Sequence, residues 1–92
     1  MNARTTDPIT SHEAGARADM NGSEYWVLHA LREAGQMTDG SIELLAAIGD
    51  VPWSPQRLRT ARSALVKRGL VVHTGEYRKT PSGRRTQVWA AV

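Results

Sequence analysis

The stretch that decides the fold is Ser54–Gly69, SPQRLRTARSALVKRG. Ser54 suits a helix N-cap, and Pro55 suits the first helical position, where a missing N–H costs nothing. Gly69 suits the left-handed residue that ends a helix. At 100° per residue, Leu58, Ala61 and Leu65 share one face. Gln56, Thr60, Ser63 and Lys67 share the opposite one. Arg59 flanks that polar stripe on one side, with Arg57 and Arg68 towards the other. An apolar back and a front mixing cations with neutral hydrogen-bonding groups suit a surface that neutralises phosphates and touches base edges. A solvated basic face on an ordinary amphipathic helix has the same pattern, so the neighbouring residues decide between the two.

Charge is segregated along the chain. Residues 1–53 carry three cations against eight acids, a net −5. Residues 54–92 carry nine cations and one acid, Glu76, a net +8. A basic half points to a polyanionic partner such as nucleic acid. An anionic membrane fits less well, because no strongly hydrophobic face accompanies the charge. Ninety-two residues suit one small domain. With no cysteine, neither a disulfide frame nor a thiolate metal site can form. No apolar run is long enough to span a bilayer, and the N-terminus lacks a signal-peptide pattern. A cytoplasmic, nucleoid-associated protein is the expectation.

Upstream, residues 1–21 have few large apolar groups and read as a flexible arm, with at most a short helix over Ser11–Ala18. The domain then spans residues 22–92. Ser23 is the expected cap of a helix running to Ala34, with Trp26, Val27, Ala30, Leu31 and Ala34 inward. Glu24 favours its first turn, and Gly35 stops it. A second helix over Asp39–Ile48 follows the start signal Thr38–Asp39–Gly40. It places Ile42, Leu45 and Ile48 on one side, with Leu44 or Ala46 flanking, and Gly49 ends it. The link Gly49–Trp53 leads into the basic helix, a helix-turn-helix arrangement with a slightly long turn. Val51 and Trp53 are expected to pack between the two helices.

After Gly69 the periodicity changes. Leu70–Thr74 is β-branched and reads as a strand. Gly75–Arg85 reads as a polar loop, and Thr86–Val92 as the return strand, with Trp89 covering the helices. A two-stranded ribbon must lean on the helices to be stable. The loop holds Arg78, Lys79, Arg84 and Arg85, which belong outside the protein. A solubilising hairpin tip that discourages edge pairing is the plain alternative.

Three helices followed by a basic-tipped hairpin resemble the winged helix-turn-helix family over residues 23–92. The stretches that carry the resemblance are LRTARSALVKRGLV (Leu58–Val71) and TPSGRRTQVW (Thr80–Trp89). The second is similar to the wing of small winged-helix proteins of actinobacterial type and their phages. The fold class expected is therefore α+β, mainly α. The resemblance implies that Ser54–Arg68 enters a DNA major groove and that Gly75–Arg85 touches the backbone or minor groove. Gln56, Arg59, Thr60 and Ser63 would then meet base edges. Arg57, Arg62 and Lys67 would hold phosphates, and Arg78, Lys79, Arg84 and Arg85 would form the wing contact. Arg62 departs from the pattern, since many relatives carry an aliphatic core residue there. It is assigned to a phosphate, with pairing to an acid of the first two helices as the alternative.

Double-stranded DNA is thus the expected partner, and a transcriptional regulator the commonest role. A phage architectural or replication accessory protein would need the same surface. The alternatives of another class are a protein-interaction module docking an acidic partner, and an RNA binder, for which Tyr77 is the one good stacking residue. A monomer or weak homodimer is expected, because no helix follows the hairpin before Val92. No enzyme is expected: His12, His29 and His73 are scattered, and no nucleophile–base spacing or phosphate-binding glycine loop occurs. No cofactor or metal is expected.

Overall fold

The computed structural model describes residues 20–92. Helices α1 (Gly22–Ala34), α2 (Asp39–Ile48) and α3 (Pro55–Lys67) combine with strands β1 (Gln36–Met37), β2 (Val71–Lys79) and β3 (Arg85–Ala91). The sheet is antiparallel, in the order β1-β3-β2. Three helices followed by a long hairpin make the α+β winged arrangement expected from the sequence. The third strand was not expected. Gln36 and Met37 pair with Ala90 and Trp89, and two residues between Gly35 and Thr38 are too few for a strand periodicity to register.

Each helix starts on a side-chain cap. Ser54 Oγ accepts the Arg57 N–H at 3.1 Å, and Thr38 Oγ1 accepts that of Ser41 at 3.1 Å. The cap of α1 is Asn21 rather than Ser23. Asn21 Oδ1 accepts from Glu24 N at 3.0 Å, and Glu24 Oε1 accepts from Asn21 N at 3.2 Å. These reciprocal bonds satisfy two end donors at once. Ser23 is buried one step inside, its hydroxyl donating to Asn21 Oδ1 at 2.6 Å. Residues 20 and 21, assigned to the arm by composition, thus join the domain: Met20 packs against the core. The rest of the expected arm, with the Ser11–Ala18 helix, lies outside the described residues.

The helix ends differ from each other in an informative way. After α3, Gly69 sits at φ 79°, its N–H bonded to Val66 O and that of Leu70 to Leu65 O, both at 3.0 Å. This is the Schellman closure that a glycine favours. After α2 the same closure runs from Asp50 N to Ala47 O and from Val51 N to Ala46 O, both at 3.2 Å. There the left-handed residue is Asp50, at φ 54°, while Gly49 keeps an ordinary helical φ of −81°. The helix thus stops at Gly49, as expected, while the left-handed turn falls on the next residue.

The core is built from Val27, Leu28, Ala30 and Leu31 of α1, Ile42 and Ala46 of α2, and Leu58, Ala61 and Leu65 of α3. Met37, Leu70, Val71 and Trp89 complete it. Two sequence expectations fail here. In α1, Leu28 is buried and Ala34 is exposed, while Trp26, half-buried, packs against the core as expected. In α2 the inward line is Ile42 and Ala46, leaving Leu45 39% and Ile48 75% exposed. The large residues suggested one helical phase; the i, i+4 pair Ile42/Ala46 occupies the other. Val51 and Trp53 do pack against the core. The Trp53 ring also reaches the start of α1, where a Cβ on Gly22 would meet it at 3.1 Å.

The hairpin strands run further than expected, leaving a short turn in place of a loop. β2 continues to Lys79, through an irregularity between His73 and Tyr77 that contains Gly75 at φ 91°. Gly75 thus bends a strand instead of ending it. The turn proper is Thr80–Arg84: Thr80 N donates to Arg84 O at 2.7 Å, and Gly83 N to Thr80 O at 2.9 Å. Thr80 Oγ1 also accepts the Arg84 N–H at 3.1 Å. With Gly83 at φ 89°, this matches a three-residue hairpin loop with a left-handed last position.

Candidate nucleic-acid interface

The front of α3 is open. Gln56, Thr60 and Lys67 are exposed, Ser63 is half-buried, and with Arg59 and Ala64 they line a concavity on the helix surface. Five of the expected contact residues therefore share one patch. Arg57 is exposed in the first turn of α3 but outside that concavity.

Two charge ladders join α3 to α2. Asp39 and Glu43, one turn apart on α2, face Arg62 and Arg59, one turn apart on α3. Arg59 donates to Glu43 Oε2 at 2.8 Å and, through its other terminal nitrogen, to Gln56 Oε1 at 2.9 Å. Arg62 grips Asp39 with two bonds, Nε to Oδ1 at 3.0 Å and a terminal nitrogen to Oδ2 at 2.9 Å. Its guanidinium carbon lies 4.0 Å from the centre of the Trp89 ring. The Arg62 and Asp39 side chains are only 17% and 21% exposed. This corrects the assignment of Arg62 to a phosphate: its fork and one π face are engaged inside the protein, as the alternative reading had it. Arg68 similarly meets Glu24 of α1 at 3.5 Å.

The wing flanks the same end of α2. Arg78, Lys79, Thr80, Pro81 and Thr86 line a cleft whose other wall is Thr38, Gly40, Ser41 and Leu44. The α2 N-terminal half thus meets α3 through Asp39 and Glu43 and faces the wing across that cleft through Gly40, Ser41 and Leu44. Arg78, Lys79, Arg84 and Arg85 are all exposed. Arg85 lies 4.6 Å above the Tyr77 ring, and Tyr77 meets His73 edge-on at 5.3 Å between centroids. His73 in turn lies 5.4 Å from Trp89. A column Arg62–Trp89–His73–Tyr77–Arg85 therefore runs from the helical body along the hairpin.

Apart from Arg32, exposed on α1, the cations of the described residues sort into two groups. Arg59, Arg62 and Arg68 meet acids of α1 and α2. Arg57, Lys67, Arg78, Lys79, Arg84 and Arg85 meet no acid among the described residues. The sequence reading missed Asp39 and Glu43 as parts of this surface. Acids at i, i+4 opposite arginines at i, i+3 were the available signal. Elsewhere, His29 is exposed beside Glu33 at 4.0 Å. Among the described residues no group of three His, Cys, Asp or Glu could hold a metal ion, and no helix is long and apolar enough to cross a membrane. No protein-family model matches the chain, and no curated protein matches it.

Proposed function

We propose that this protein binds duplex DNA, with the α3 front in the major groove and the wing on the backbone or minor groove, as a regulator of transcription. The supporting observation is the sorting of cations. Six cations of the basic half that meet no acid among the described residues lie on α3 and the wing, whereas Arg62 and Arg68 are turned into the body and Arg59, on the α3 front, is held by Glu43. A polyanion would supply the missing counter-charge. Thr60, Ser63 and Gln56 add neutral donors and acceptors where base edges would lie. The wing's tight turn holds its cations on strand ends, so little ordering entropy would be lost on contact. Membership of the winged helix-turn-helix family, and a nucleoid location, belong to the same proposal.

A titration of fluorescent random-sequence duplex at several salt concentrations tests this. Six phosphate contacts would give a log–log salt slope of about −5. An affinity flat in salt, or no complex at moderate salt, overturns the proposal. The second reading is a protein-docking module. Leu44, Leu45 and Ile48 are exposed on α2, an apolar stripe that duplex binding does not require. That reading predicts no complex with duplex at physiological salt.

A further inference from the structure

We propose that Glu43 is a specificity-determining residue: it holds Arg59 as a directional base-reading donor and withholds it from phosphates. The inference rests on the reading of α3 as the DNA-facing helix. A carboxylate on a polyanion-binding surface needs a reason, since it repels the ligand. Glu43 is 28% exposed and sits beside the concavity lined by Gln56, Arg59, Thr60, Ser63 and Lys67. Its Oε2 takes one N–H of Arg59 at 2.8 Å, while Gln56 Oε1 takes another at 2.9 Å. The guanidinium is thus anchored from two sides, by α2 and by the preceding turn of α3.

Two consequences follow. An arginine has five N–H donors, so three remain, enough for the O6 and N7 acceptors of one guanine. The anchored pair is also close to neutral, so Arg59 contributes little to sequence-independent attraction. An unanchored arginine, 43% exposed as this one is, would swing to the nearest phosphate, because backbone charge outnumbers any one base edge. Glu43 therefore lowers binding to wrong sequences while fixing the donor for the right one. This is discrimination by penalty as well as by contact. The bonded Gln56 amide is held in the same unit, with its NH2 group left for an adjacent acceptor.

The test is binding-site selection from random duplex with the wild-type protein, Glu43→Gln, Arg59→Ala and the double variant. Titration follows on the selected site, a single-base variant of it and random duplex, across salt. The expected wild-type result is a guanine preference of about tenfold at one position, within the range of a bidentate arginine contact. Glu43→Gln should reduce that preference to about threefold or less. It should also tighten random-duplex binding and steepen its salt slope by about one, as a freed arginine adds one phosphate contact. In the Arg59→Ala background, Glu43→Gln should leave base preference unchanged. A merely structural role for Glu43 would not make its effect on base preference depend on Arg59. Duplex binding in which Glu43→Gln keeps both the guanine preference and the salt slope overturns this inference alone. No duplex complex with the wild-type protein overturns the proposed function as well. Matching thermal melts of the four proteins establish that the comparison is between folded chains.

Discussion

Arg62 stacks on Trp89, with its guanidinium carbon 4.0 Å from the ring centre, and the same side chain holds Asp39 by two hydrogen bonds. The contact ties α3 to β3 and, through Asp39, to the first turn of α2. An arginine suits this place because its planar fork matches a carboxylate edge while its flat face covers an aromatic ring. Lysine could satisfy only one of those demands. The cation itself closes the helix–sheet seam.

The first prediction concerns that seam. Asp39→Ala leaves Arg62 largely buried without its partner and should cost about 2 kcal/mol, between the values for exposed and fully buried pairs. Arg62→Ala should cost at least as much, since it loses the stack as well. Urea unfolding of both variants and of the double variant should show that the double costs less than the sum of the singles. Under conditions where Arg62→Ala remains folded, the salt slope of duplex binding should not change. A fall of about one unit would return Arg62 to the phosphate contacts.

A second prediction follows from Asp50. Its φ of 54° lies in the left-handed region, one residue after a glycine that does not use its own freedom. A non-glycine residue there costs up to about 1–2 kcal/mol, less for Asp than for most. A negative charge at a helix C-terminus adds a small further penalty. Asp50→Gly should therefore stabilise by about 0.5–1 kcal/mol, raising the Tm by a few degrees. An unchanged or lowered Tm would show that the Asp50 side chain offsets its backbone conformation.

Much of this architecture was legible in the sequence. The caps at Ser54 and Thr38, the left-handed Gly69 and the inward line Leu58–Ala61–Leu65 all rest on local rules, and local rules suffice within one helix. The failures share a different cause. Leu45 and Ile48 were placed inside by size, but Ile42 and Ala46 are the residues of α2 that are buried, and a small alanine does not stand out as a core residue in the sequence. Gly75 was read as a terminator because a glycine's local signature does not distinguish a bulge from a strand end. β1 pairs with residues more than fifty positions away, and no window of sequence contains that information. On the candidate interface, the α3 front was readable from its own periodicity. The destination of Arg62 depended on where α2 places Asp39, which only the tertiary arrangement fixes.

The wing supplies a third prediction. Arg78 and Lys79 are exposed, meet no acid among the described residues and line the cleft beside α2. Replacing both with alanine should leave the Tm within about a degree, as surface changes usually do. The salt slope of duplex binding should fall by about 2, and affinity at low salt should drop by at least tenfold. An unchanged slope would assign these cations to solubility rather than to contact.

The last prediction lies in the column that supports the wing. His73 is packed between Trp89 and Tyr77, and its Nε2 is buried with no hydrogen-bond partner among the described residues. A buried polar atom without a partner costs about 1–3 kcal/mol, whereas an apolar group of similar shape does not. His73→Phe keeps a flat ring against both neighbours and removes the orphaned nitrogen. It should raise stability by about 1 kcal/mol in urea unfolding and leave duplex affinity unchanged. His73→Ala removes the ring, breaks the column between the body and Tyr77, and should destabilise by about 2 kcal/mol, in the range for losing a packed side chain of this size. If His73→Phe is instead the more damaging of the two, the imidazole nitrogen has a partner that matters to the fold, and the column is held by polar contact rather than by ring packing.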